Sequence, residues 1–142
     1  MTVIRVVLDT NILFEGLTQQ SGACGLIIDA WQAKLFSVCI SNALAYEYQD
    51  VLSRKLSEHR WQEIKPVLDS FLDGQSEFVK IYISWWPISP DPGDDHVIDC
   101  AANAHALIVT SNIRDFEKAK QILGVQVMTP VEFLDYLTSW EG

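Results

Sequence analysis

The sequence predicts an α/β fold of three layers, with a parallel sheet of about five strands between helices on both faces. Three observations predict it. Val3–Leu8 and Leu107–Val109 are short, largely apolar runs, as expected of strands buried on both faces. Both end abruptly in polar, acidic phrases, Asp9-Thr10-Asn11 and Thr110-Ser111-Asn112-Ile113-Arg114-Asp115. Between them, strand-like runs alternate with helical patterns through short joins, which favours right-handed parallel crossovers.

The elements follow in order. Val3–Leu8 is the first strand. Thr10 can cap a short helix through Leu17, and Gly22 marks a break. Ala23–Leu35 has helical periodicity through Leu26, Ile27, Ala30 and Trp31. Phe36–Ile40 is a second strand, closed by Ser41, a good N-cap for a helix to about Leu56. Trp61–Leu72 is helical and strained by Pro66. Phe78–Ile83 reads as a third strand, and Trp85–Gly93 as a loop rich in Pro, Ser and Asp. Asp94–Ala106 is a helix, Leu107–Thr110 a strand, and Asp115–Leu123 a helix ended by Gly124. Val125–Met128 is a last short strand. Thr129-Pro130 then pairs an N-cap with proline at the first helical position, opening a helix to about Thr138.

Bulk properties bound the function. The 142 residues suit one domain, 1–142, with a substantial core. A 49% hydrophobic and 20% charged composition is that of a globular chain. No apolar window is long enough to span a membrane, and no secretory leader is evident, so a cytoplasmic protein is expected. Cys24, Cys39 and Cys100 lack metal-ligand spacing and read as buried free thiols. Ten basic against nineteen acidic residues give −9, which argues against a general nucleic-acid coat protein. It leaves room for a nuclease whose metal ions cancel a local acidic cluster.

Acidic residues carry the chemistry. Asp9 ends a largely apolar strand, where a carboxylate is costly unless it caps, pairs or binds metal. Glu47 falls inside the apolar stripe Leu44, Tyr48, Val51 and Leu52, so it needs a counter-charge unless it reaches water at the stripe edge. In Asp91-Pro92-Gly93-Asp94-Asp95, counting back from Val97, Ile98, Ala101 and His105 reaches Asp94 as the acid facing the sheet. Asp91 and Asp95 are possible helpers, with Asp95 turned about 100° away and Asp99 on the outer side. An acidic first turn that complements the helix dipole is the simpler alternative. Asp115 opens a later helix and could be only its cap, with Ser111 and Asn112 as neutral oxygen donors nearby. Four carboxylates at one point would repel unless a cation held them, and hard oxygen donors suit Mg²⁺ or Mn²⁺.

These phrases together resemble the PIN-domain nucleases, and most closely the toxins of bacterial toxin–antitoxin systems similar to VapC. The resemblance covers nearly the whole chain, including Met128-Thr129-Pro130-Val131-Glu132-Phe133-Leu134 at its end. It implies a PIN-like fold and a Mg²⁺- or Mn²⁺-dependent endoribonuclease that hydrolyses RNA. It also implies metal binding by Asp9, Glu47, Asp94 and Asp115, with Asn11, Ser111 and Asn112 as supporting groups. A homodimer and a small antitoxin partner are further implied. One departure is Asn112, where members of that subgroup often carry Asp, so Asp115 must supply the last carboxylate. The competing reading is a PIN-like protein-interaction module with weak or no catalysis.

Two rival enzymes fail on single residues. A haloacid-dehalogenase phosphatase needs a second Asp where Asn11 stands, and a receiver domain needs a Lys near Met128-Thr129. The cations fall in two groups, Arg54, Lys55 and Arg60, and Arg114, Lys118 and Lys120, which are either ordinary solvated surface or the contacts of an RNA substrate. Trp85 and Trp86 are adjacent, so in an extended segment one of them faces outward, either under this chain's own loops or towards an intermolecular contact.

Overall fold

The chain pairs its strands β1 (Arg5–Leu8), β2 (Ser37–Ile40), β3 (Ser76–Phe78), β4 (Leu107–Val109) and β5 (Val127–Met128) into one sheet. Their order is β3-β2-β1-β4-β5, and every pairing is parallel. The computed structural model describes residues 3–19, 21–85 and 88–140. Seven α-helices accompany the strands within them: α1 (Thr10–Thr18), α2 (Ala23–Gln32), α3 (Asn42–Lys55), α4 (Glu58–Gly74), α5 (Pro92–Ala104), α6 (Glu117–Leu123) and α7 (Pro130–Thr138). The result is the expected three-layer α/β/α arrangement. β1 is apolar and buried from Val6 to Leu8 because neighbouring strands pair with it on both sides and helices cover it. α5 lies across β1, β2 and β4, with α3 packed against it, and α2 packs on α1 and α7.

This strand order fixes where a ligand can enter. The chain winds outward from β1 through β2 to β3, then returns to build β4 and β5 on the other side of β1. Between β1 and β4 the connections leave in opposite directions, so their carboxyl ends open a crevice. Asp9 and Thr110 are the first residues beyond those two strand ends.

Local chemistry explains the helix boundaries. Ser41 Oγ accepts from the Leu44 amide and Ser57 Oγ from that of Arg60, and Thr129 with Glu132 forms a full capping box. Gly124 adopts φ 69°, the left-handed conformation that ends α6. The stripe Leu44, Tyr48, Val51 and Leu52 is buried as expected, and the Tyr48 hydroxyl donates to the Leu8 carbonyl. That bond anchors α3 to the last residue of β1, and so carries Glu47 towards Asp9.

Several boundaries differ from expectation. The third strand spans 76–78 and not 78–83. Beyond Val79, the Asn103 side chain takes the place of a strand partner: its Oδ1 accepts from the Tyr82 and Ile83 amides, and its Nδ2 donates to the Ile83 carbonyl. Asp9, not Thr10, is the N-cap of α1. α2 stops at Gln32. α4 starts at Glu58, one turn before Trp61, because Ser57 caps it. It runs through Pro66, which is exposed together with Gln62, so the carbonyl deprived of its donor can face water. His105 is exposed in a left-handed C-cap conformation and does not face the sheet. Asp99 is buried, contrary to its expected outer position. Trp85 is half-buried against the core, while Trp86 and Pro87 lie outside the described residues.

The three cysteines are free and buried, as expected. Burial pushes the Cys39 and Cys100 thiols up to about 12 and that of Cys24 to about 11, which keeps them protonated and unreactive.

Gly16 marks the closest approach between helices. A Cβ there would lie 2.4 Å from Ile28 Cγ1 and 2.7 Å from the Cys24 carbonyl oxygen. Gly16→Ala is therefore expected to destabilise, an overpacking cost of about 1–3 kcal/mol outweighing the roughly 1 kcal/mol of helix propensity gained. A urea midpoint equal to or above that of the unsubstituted chain would refute this tight approach.

Candidate active site

Acidic residues gather at the crevice outside β1 and β4. Asp9 is only 5% exposed. Its backbone amide donates to the Val109 carbonyl at 3.0 Å, and its Oδ2 accepts from Thr110 Oγ1 at 2.7 Å. Burial above all raises its carboxyl above the ordinary range, with help from the charges of Asp91 and Asp115. The Thr110 hydroxyl and Thr10 amide pull the other way. Thr110 is not among the residues the sequence reading singles out, although a signal exists. Two adjacent parallel strands ending at the same level must set their first polar residues side by side.

Asp94, 8% exposed, faces the same crevice. Burial first, then the charges of Asp9, Asp91, Asp115 and Asp95, push its carboxyl up to about 7. Glu47 reaches the cleft from α3. Its Oε1 and the Asp91 Oδ1 each lie 3.4 Å from the place a Cβ would occupy on Gly93. The missing side chain thus leaves open space between two carboxylates. Asp91 also caps α5 through the Gly93 amide at 3.0 Å. Asp9, Asn11, Glu47, Asp91 and Asp94 line one open cleft of about 300 Å³, together with Arg54 and Lys55.

The remaining candidates divide. Asp115 lines an adjacent cleft with Ser89, Arg114 and Lys118, where Asn112 Nδ2 donates to its Oδ2. Its charge nevertheless reaches Asp9 and Asp94. Asn11 Oδ1 accepts from Lys55 Nζ at 3.2 Å. Ser111 is exposed and lines a different cleft, near Glu15, Cys24 and Thr129. Asp95, 2% exposed, is turned away from the cleft and accepts the Ile88 and Ser89 amides through Oδ1. Asp99 accepts the Ser84 hydroxyl and the Trp85 amide. Helical counting thus places Asp94 and Asp95 well. It fails for Asp99 because Ser84 and Trp85 bond to it from the outer side of α5, as Ile88 and Ser89 bond to Asp95.

A larger cleft of about 650 Å³ opens at the opposite end of the sheet, beside Trp85, His105 and Val125. No carboxylate among the described residues lines it, so its size does not make it the chemical centre.

The acidic cleft offers carboxylate and amide oxygens and no His or Cys, a donor set that fits a hard divalent cation. Among the described residues, no three His, Cys, Asp or Glu side chains are already drawn together as a cage.

A family model described as PIN domain matches residues 5–114. No curated protein matches the sequence. Solved structures with the same fold include VapBC2 from Rickettsia felis bound to a DNA fragment from its promoter. It is 16% identical with a TM-score of 0.65, covering 89% of this chain and 98% of that one. FitAB bound to the IR36 DNA fragment is 17% identical with a TM-score of 0.60, covering 88% and 94%. FitAcB from Neisseria gonorrhoeae is 18% identical with a TM-score of 0.53, covering 89% and 98%.

Proposed function

This chain belongs to the PIN-domain family, and from that premise we propose that it is a divalent-metal-dependent endoribonuclease, the toxin of a toxin–antitoxin pair. The observation that carries the proposal is the gathering of Asp9, Glu47, Asp91 and Asp94 in one cleft at the switch point of a parallel sheet, where burial and like charge raise the Asp94 carboxyl to about 7. A cleft that holds acids together against their own repulsion stores a demand for positive charge. Asp9, Glu47, Asp94 and Asp115 would hold Mg²⁺ or Mn²⁺, with Asp91 as an additional donor and Asn11 and Asn112 as supporting polar groups, while Ser111 lines a different cleft and falls out of the set. When bound, the ion supplies an activated water and charge neutralisation for phosphodiester hydrolysis.

The residues divide the work. Thr110 fixes the Asp9 carboxylate through one oxygen and leaves the other for the cleft. Asn112 orients Asp115. Lys55 and Arg54 at the cleft wall, and Arg114 and Lys118 beside Asp115, offer the positive charge that an RNA backbone needs in a chain of net −9. Neutralising Arg114 and Lys118 together is expected to weaken RNA binding. The salt dependence should flatten by roughly 0.7 in logarithmic slope for each phosphate that is no longer neutralised. An unchanged slope in anisotropy titrations removes them from the interface.

The decisive experiment incubates the purified chain with a broad RNA pool in Mg²⁺ or Mn²⁺, against a chelator control. Metal-dependent internal cleavage is the expected result. Metal binding without cleavage would favour the protein-interaction module, a reading that the net charge of −9 and Asn112 support.

For partners, the reading takes residues 1–142 as one domain that forms a homodimer and is blocked by a small antitoxin, in the cytoplasm. It draws on the likeness to VapBC2 and FitAB and on the VapC-like segment 128–134. No described helix is long and apolar enough to cross a membrane. A monomeric mass in light scattering would remove the homodimer.

A further inference from the structure

Ser89 is buried and bonded to three different acidic residues. Its amide donates to Asp95 Oδ1 at 3.0 Å, beside the Ile88 amide at 3.1 Å. Its hydroxyl donates to the Asp115 backbone carbonyl at 3.3 Å and accepts from the Asp91 amide at 3.2 Å. One side chain thus joins the residue that opens α5 to the turn that follows β4. Asp99, one helical turn beyond Asp95, holds the same stretch through the Ser84 hydroxyl at 2.7 Å and the Trp85 amide at 3.0 Å.

We propose that Ser89 and Asp95 are positioning residues that set the separation of Asp91 from Asp115, and with it the affinity of the cleft for a divalent cation. Asp95 is not itself a ligand: its bonded oxygen is spent on two amides away from the cleft. The proposal rests on the metal-binding reading above. The described parts of 79–91 belong to no helix or strand, so nothing regular holds that stretch in place. Asp91 and Asp115 carry like charges on separate elements, and repulsion would spread them further if the stretch were loose. Both Ser89 hydroxyl bonds engage backbone groups, so they fix where each acidic side chain starts. Such outer contacts commonly tune metal affinity as much as the ligands' own identity does.

The test is calorimetric titration of Mn²⁺ into the purified chain, a readout independent of catalysis. Ser89→Ala and Asp95→Ala are expected to weaken Mn²⁺ binding by about 10- to 100-fold. Asp95→Asn keeps a carbonyl oxygen for both amides, and is expected to bind within about threefold of the unsubstituted chain. Asp94→Asn loses a ligand and serves as the contrast. If Asp95→Asn loses affinity as Asp94→Asn does, Asp95 is a ligand and the proposal falls. It also falls if Ser89→Ala binds Mn²⁺ unchanged, and that variant carries the test should Asp95→Ala fail to fold. Absence of Mn²⁺ binding by the unsubstituted chain would overturn the metal reading itself, and this proposal with it.

Discussion

Asp9→Asn is expected to abolish divalent-dependent RNA cleavage, a loss of more than about 100-fold, larger than outer-contact changes around a metal usually produce. The substitution removes one negative charge from the centre of the cleft and almost nothing else. An Asn oxygen can still accept from Thr110 Oγ1, and the backbone bond from residue 9 to Val109 is untouched. The metal-free variant should therefore melt no lower than the unsubstituted chain, because the carboxylate removed is one that burial disfavours. Undiminished cleavage by a folded Asp9→Asn protein would remove Asp9 from the chemistry. Abolished cleavage with a collapsed melting temperature would show that the charge of Asp9 is needed for the fold.

The second large effect is on stability against pH without metal. The folded Asp94 carboxyl sits at about 7, and an unfolded one near the ordinary carboxylate value of about 4. Between those values the folded state binds more protons, so stability falls as pH rises through the window and is lowest above 7. Asp9, also raised, contributes with the same sign. The Arg5–Glu77 pair has the opposite sign, but Glu77 is lowered, so its loss comes only in more acidic solution. Metal-free protein is expected to gain roughly 1–2 kcal/mol from pH 8 to pH 5, discounted for solvent at the cleft mouth. In thermal melts that is an upward shift of roughly 3–8 °C. Asp94→Asn should flatten the profile, and Mn²⁺ should stabilise at pH 8 far more than at pH 5. A flat profile in the unsubstituted chain would mean that neither burial nor its neighbours' charge raises Asp94.

What the sequence makes legible follows from which forces act locally. β1, α3, α5 and α7 can be read because burial on both faces, an apolar stripe or a cap leaves a periodic trace. Asp9, Glu47 and Asp94 are legible for the same reason: each is a charge where the period demands an apolar residue. The short extent of β3 is not, because Phe78–Ile83 alternates like a strand. Only Asn103, twenty residues on, removes its last part from the sheet. Asp99 is misplaced for a related reason: helical counting sees one helix and its sheet, not the chain folded over its far side. Ser89 carries no sequence signal, since a serine in a Pro-rich loop is ordinary until its three partners are known.

The bond between Thr110 and Asp9 joins residues 101 positions apart, and β4 pairs directly with β1 at the centre of the sheet. During synthesis the chain displays Asp9, Glu47 and Asp94 long before Thr110 and Asp115 exist to complete the group. No early segment can hold Asp9 in place, because the strand end that bonds its amide and its carboxylate is among the last pieces to arrive. If the chain cuts RNA as proposed, this topology keeps an unfinished copy harmless beside the messages that encode it. The hazard appears together with the finished fold.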